Sequence, residues 1–169
     1  RPDFTVNIAL VENQRPTHGI IYAPVRKALY IGDAVAGLAY RVETETLAGL
    51  TLADFTPLKV RAAPQNLAAV CSLSHNSPET EAYLDLYGVS ERVAIGSSLK
   101  FCLVAEGQAD LYPRLGPTME WDTAAGDAIL TAAGGKVLSR DGAPLIYAKP
   151  RFFNPEFFAQ GDVAFKVPN

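Results

Sequence analysis

Two periodicities divide the chain. From Phe4 to Leu10 large apolar residues alternate with small or polar ones, Phe4-Thr5-Val6-Asn7-Ile8-Ala9-Leu10, the period-two pattern of a half-buried strand. Glu12 to Pro16 reads as a turn and Gly19 to Ala23 as a second strand, so the pair makes a hairpin. Pro24 closes it, and Lys27 to Gly32 and Gly37 to Val42 read as third and fourth strands. Strands joined this tightly form an antiparallel meander, one face of which needs a cover. Few helices occur early enough to supply it, so the expected cover is a segment preceding Arg1. The opening Arg1-Pro2-Asp3, without methionine, supports the same expectation.

Residues 44 to 64 have weak periodicity and read as a crossover. After Pro64 the character changes. Leu67 to Ser72 is a continuous apolar run ending in a hydroxyl, of the kind buried on both faces of a sheet in α/β layers. Ser77-Pro78-Glu79 is a helix start, with a capping hydroxyl, a proline at the first position and an acid in the first turn; the helix runs to about Tyr87 and stops at Gly88. Arg92 to Gly96 is a strand, Leu99 to Ala105 a helix ended by Gly107, and Ala109 to Tyr112 a short strand. Beyond the irregular Pro113 to Pro117, Ala124, Ala125, Ile129, Leu130 and Ala133 recur at helical spacing. Their small size predicts a helix packed close to its neighbour, stopped by Gly134-Gly135. Lys136 to Leu138 is a strand, Asp141-Gly142 a turn, and a Pro- and Phe-rich tail closes the molecule. The fold class is therefore α/β in alternating layers: a meander over residues 1–60, then an α/β sub-domain over 61–169.

Composition narrows the function. Of 169 residues, 49% are hydrophobic and 20% charged, enough apolar surface for a packed core. A net charge of −3 without a basic run argues against coating nucleic acid. Cys71 and Cys102 are too few for a disulfide framework and lie in apolar runs, which suits reduced thiols. No apolar run is long enough to span a membrane, and the start has no signal-peptide pattern; the expected location is cytoplasmic, at most peripheral to the inner membrane.

Three loops after apolar strands carry the polar residues of interest: Ser72 to His75, Gly96 to Lys100, and Arg114 to Asp122. If the strands are neighbours, the loops meet on one rim of the sheet, where open α/β sheets bind ligands. A hydroxyl, an imidazole, a glycine-opened helix start, an ammonium and a guanidinium suit a phosphate. Asp122 reads first as an N-cap, and alternatively as a carboxylate holding a cation in front of that phosphate. Each residue has an ordinary reading too: Ser72 a strand-end hydroxyl, His75 a cap, Arg114 a turn residue, Glu120 a surface acid or a support for Asp122. Gly96-Ser97-Ser98 lacks the Gly-x-Ser-x-Gly elbow of a nucleophilic serine, and there is no zinc spacing, P-loop or GxGxxG.

Trp121-Asp122-Thr123-Ala124-Ala125-Gly126 with Ala133-Gly134-Gly135 resembles the C-terminal signature of the inositol monophosphatase superfamily, the metal-dependent sugar phosphatases. Leu111-Tyr112-Pro113-Arg114-Leu115-Gly116-Pro117-Thr118-Met119-Glu120-Trp121-Asp122, with Phe4 to Leu10, Ser72 to His75 and Gly96 to Lys100, resembles its 3′(2′),5′-bisphosphate nucleotidase branch. The resemblance implies a layered sugar-phosphatase-like fold and a lithium-sensitive, Mg²⁺-dependent hydrolase. Its expected substrate is a small phosphorylated molecule, 3′-phosphoadenosine 5′-phosphate. Asp122 matches the C-terminal metal aspartate, and Ser72, His75, Gly96 and Lys100 match nucleotide-contacting positions. Inositol enzymes carry an acid where Arg114 stands, which favours a bisphosphorylated substrate here over inositol 1-phosphate. The family's N-terminal glutamate and Asp-Pro-x-Asp-Gly-Thr motif do not occur in this sequence. The expectation is thus the C-terminal part of such an enzyme, partnered by an N-terminal fragment of the same protein or in a homodimer. On its own it would be a non-catalytic phosphate- or nucleotide-binding module.

Overall fold

The computed structural model describes residues 3–71 and 77–168. The meander is a five-stranded antiparallel sheet in chain order: β1 (Val6–Glu12), β2 (Arg15–Ala23), β3 (Ala28–Asp33), β4 (Leu38–Glu43) and β5 (Thr56–Pro57). Asn13 and Gln14 join β1 to β2 with φ of 48° and 63°, the double left-handed turn whose twist matches that of paired strands. Four of the strands follow the sequence pattern. The fifth lies in the expected crossover and is only two residues long.

The second sheet follows the alternation of elements: β6 (Ala68–Cys71), α1 (Pro78–Leu86), β7 (Glu91–Ala94), α2 (Leu99–Ala105) and β8 (Leu111–Arg114). Then come β9 (Thr118–Met119), α3 (Glu120–Ala132), β10 (Lys136–Ser139), β11 (Phe153–Asn154) and β12 (Phe157–Gln160). The strand order is β10-β12-β8-β6-β7, with β6 parallel to both β7 and β8 and the other pairs antiparallel. Ser77 caps α1 as the sequence predicts, its hydroxyl accepting the Thr80 N–H at 3.3 Å. The tail does more than close the molecule: Phe157 to Gln160 is fully buried as an internal strand.

Layers alternate. Helices α2 and α3 lie between the two sheets, and α1 covers the other side of the second sheet through Tyr83, Leu84 and Tyr87 against Ala69, Leu111 and Phe158. Close approach explains the small residues of α3. A Cβ on Gly32 of β3 would stand 2.6 Å from the Ile129 Cα, and one on Gly19 would overlap the Ala125 carbonyl. Gly126 lies equally tight under the Phe101 ring. The cover for the inner face of the meander is therefore α3, from about a hundred residues downstream. The opposite face is apolar and exposed: Phe4, Val6, Ile8, Leu10 and Ile20 are each about half accessible. Among the described residues no helix is long and apolar enough to cross a membrane. Both cysteines are buried and free.

Candidate functional site

The order β8-β6-β7 sets side by side the three strands from whose ends the candidate loops leave. Ser72 and His75 lie outside the described residues. The other two loops meet at a cleft of about 330 Å³ lined by Ser97, Ser98, Lys100, Tyr112, Arg114 and Asp122, with Phe101, Thr118 and Thr123 behind them.

Each charged group arrives for a local reason. Arg114 is the last residue of β8, and its Nη2 donates to the Pro117 carbonyl at 3.1 Å across the following turn. Its Nε is buried and, among the described residues, without a hydrogen-bond partner. An orphaned guanidinium N–H is costly to desolvate, and an anion in the cleft would satisfy it. Lys100 stands in the first turn of α2, with Nζ 3.1 Å from the Ser97 carbonyl it donates to and 5.4 Å from the centre of the Tyr112 ring. Burial, then the Arg114 guanidinium, lowers its pKa to about 8, while Asp3 and Asp122 act in the other direction. Two cations crowded into a partly buried cleft repel each other until an anion joins them.

Asp122 differs in position from the sequence reading. The N-cap of α3 is Met119, and Asp122 is the third helical residue, its Oδ2 accepting the Met119 N–H at 3.3 Å. It therefore closes the helix start from inside the first turn, and its side chain is exposed in the cleft. Its main-chain carbonyl accepts the Ser98 hydroxyl at 2.9 Å, and Ser98 Oγ in turn accepts Asn7 Nδ2 at 2.9 Å. In the sequence Ser98 stands out only as part of the Gly96 to Lys100 loop, and Asn7 only as a polar position of the first strand. Nothing in their local sequence signals a contact between segments ninety residues apart.

Gly96 stands outside the cleft lining. Its N–H donates to Asp3 Oδ2 at 3.3 Å, and a Cβ there would meet Asp3 Cβ at 2.9 Å. Asp3 also binds the Arg26 guanidinium, which holds its carboxyl below the usual range. Asp3, Thr5 and Asn7, alternate residues at the start of the meander, thus fasten the 96–98 turn, Thr5 through the Ser97 hydroxyl. Ser97 has a φ of 56°, strained for a residue with a side chain.

A divalent ion fits Asp122 as one oxygen ligand, an exposed carboxylate facing a cationic cleft. The described residues do not complete a cage for it, since no three His, Cys, Asp or Glu side chains cluster among them.

Known proteins resemble the chain in sequence and in fold. The 3′(2′),5′-bisphosphate nucleotidase CysQ of Escherichia coli strain K12 is 45% identical over 156 residues, 92% of this chain and 59% of the relative. The Buchnera aphidicola protein of the same name is 40% identical over 160 residues, 57% of its length. The crystal structure of CysQ from Bacteroides thetaiotaomicron, described as a bacterial member of the inositol monophosphatase family, matches with a TM-score of 0.84 at 41% identity. That match covers 96% of this chain and 64% of the other. Inositol monophosphatase from Anabaena (Nostoc) sp. PCC 7120 matches at 0.71 and 27% identity. The chain thus spans about three-fifths of the length of the curated relatives it matches. The inositol monophosphatase family model runs over residues 1–162, and the chain belongs to that family.

Proposed function

We propose that the chain is the substrate-gripping part of a phosphatase that removes the 3′-phosphate of 3′-phosphoadenosine 5′-phosphate, giving AMP and phosphate. The observation that carries the reading is the pairing of Lys100 with Arg114, whose Nε is buried and has no partner among the described residues, across one cleft from Asp122. A substrate with two phosphates needs more than one cation, and the Arg114 fork and Lys100 ammonium supply two of different geometry. Relatives named as bisphosphate nucleotidases support the same choice. Ser72, His75 and Gly96 enter the proposal only by their match to the family pattern.

Mg²⁺ is the proposed ion, with Asp122 giving it one ligand and other ligands coming from outside the described residues. Such an ion polarises a phosphoryl oxygen and lowers the pKa of water. This chain's residues bind and orient. Arg114 and Lys100 neutralise phosphate oxygens, and the Ser98 hydroxyl fixes the turn that carries Asp122. A second reading, a phosphate- or nucleotide-binding module without catalysis, is favoured by the single carboxylate in the cleft. Phosphate release from 3′-phosphoadenosine 5′-phosphate and from inositol 1-phosphate, with Mg²⁺, separates the choices. The proposal expects turnover of the nucleotide; preference for inositol 1-phosphate overturns it, and nucleotide binding without turnover supports the second reading.

A further inference from the structure

Two residues before Asp122, a second carboxylate faces away from the cleft. Glu120, the first residue of α3, is only 6% exposed, and its neighbourhood comes from one loop. Its Oε2 accepts the Ala148 N–H at 2.7 Å, and its Oε1 accepts the Lys149 N–H at 3.0 Å and lies 2.6 Å from Lys149 Nζ. The Lys149 ammonium also donates to Asn154 Oδ1 at 3.2 Å and lies over the Tyr147 ring. Asn154, 1% exposed, donates through Nδ2 to Thr123 Oγ1 at 2.9 Å and Thr118 Oγ1 at 3.3 Å. Main-chain pairing of Phe153 with Met119 and of Asn154 with Thr118 completes the attachment. Residues 148–154 therefore grip 118, 119, 120 and 123, on both sides of Asp122.

The loop adopts an unfavourable shape to do this. Ala148, Arg151 and Phe152 have φ of 58°, 63° and 54°, left-handed values that residues with side chains avoid. Such conformations persist where their surroundings over-determine them. A buried ion pair is a poor device for raising stability, because desolvation cancels most of its attraction; its better-attested use is to fix one geometry among several. Helix α3 already has its own apolar packing on both sides. What the pair adds is a fixed starting point for its first turn.

We propose that Glu120 and Lys149 are positioning residues for Asp122. They fix where its carboxylate enters the cleft and hold the neighbouring Glu120 charge, neutralised, out of it. The proposal rests on the reading of Asp122 as a ligand for a divalent ion. The test uses the protein expressed from its complete reading frame, with Mn²⁺ binding followed by electron paramagnetic resonance, thermal unfolding, and kcat and KM for phosphate release.

Glu120→Gln keeps the shape and removes the charge. We expect about a tenfold weaker Mn²⁺ affinity, as when an outer partner of a metal ligand is lost, with kcat reduced and KM for the nucleotide unchanged. Lys149→Met, which leaves both main-chain donors on Glu120, should weaken Mn²⁺ in the same direction and serves if Glu120→Gln does not fold. A folded variant with unchanged Mn²⁺ affinity overturns the proposal even where its melting temperature falls, since that is the mark of a purely structural pair. A parent that binds no Mn²⁺ also overturns it. Where the affinities differ but neither protein releases phosphate, the positioning role stands and the proposed reaction fails.

Discussion

Ser98 donates its hydroxyl to the main-chain carbonyl of Asp122 at 2.9 Å, and so ties the turn before α2 to the first turn of α3. Because Ser98 Oγ also accepts Asn7 Nδ2, one buried hydroxyl joins the meander, the lysine-bearing helix and the aspartate-bearing helix. That junction ties the helix start that carries Lys100 to the one that carries Asp122.

Ser98→Ala should therefore weaken both stability and the site. It leaves Asn7 Nδ2 without its acceptor, and Asn7 Oδ1 is already buried and unpaired. Loss of one partner of a buried hydrogen bond costs about 1–3 kcal/mol. Urea unfolding should show a lower midpoint with an unchanged slope, and phosphate affinity should fall with it. An unchanged midpoint would mean that the junction carries no stability.

Lys100 gives a pH signature. Its folded pKa of about 8 lies below the ordinary 10.5, so between those values the unfolded chain holds a proton that the folded chain has released. Stability should therefore rise as pH increases from about 8 towards 10.5, with Lys100→Met removing the slope. An anion in the cleft reverses the effect by favouring the ammonium. Calorimetric phosphate titrations near pH 8.5, in buffers of different ionisation enthalpy, should show proton uptake that Lys100→Met abolishes.

The sequence made much of this visible, and what it hid has physical causes. The alternation in Phe4 to Leu10 located β1, because a pleated strand has a period of two whatever it packs on. The same period cannot say which face is the core. Large Val6, Ile8 and Leu10 point outwards, while Ala9 and Val11 face the core. Lys100, Arg114 and Asp122 could be named together because strand order alone brings their loops to one rim. Glu120 read either as a surface acid or as a support for Asp122, and the choice stayed open because its partners, Ala148 and Lys149, come from a loop with no periodic signal. Phe157 to Gln160 was hidden for a similar reason: four buried residues show no alternation inside a Pro- and Phe-rich tail.

Asp127 was also illegible as a buried group, since nothing in its spacing distinguishes it from a surface residue of α3. It is 7% exposed, and burial raises its pKa to about 6 against the opposing hydrogen bonds of Tyr147 and Thr131 and the charge of Arg15. Between its ordinary 3.8 and about 6 the folded chain holds a proton that the unfolded chain has lost, so this group's contribution to stability falls as pH rises through that window. Asp127→Asn removes the titration. Thermal unfolding from pH 4 to pH 7 should show the variant gaining on the parent as pH rises; parallel curves would contradict the assignment.

The central claim is that Arg114 and Lys100 form a grip for two phosphates. Calorimetric titration of 3′-phosphoadenosine 5′-phosphate and of AMP into the protein and its Arg114→Glu variant tests it most directly. A hydrogen bond to a charged group is worth about 1.5–3 kcal/mol, roughly tenfold or more in affinity. The account predicts that the parent binds the bisphosphate at least about tenfold more tightly than AMP, and that Arg114→Glu erases the difference. Equal affinities in the parent, or a preference that survives the charge reversal, would contradict it.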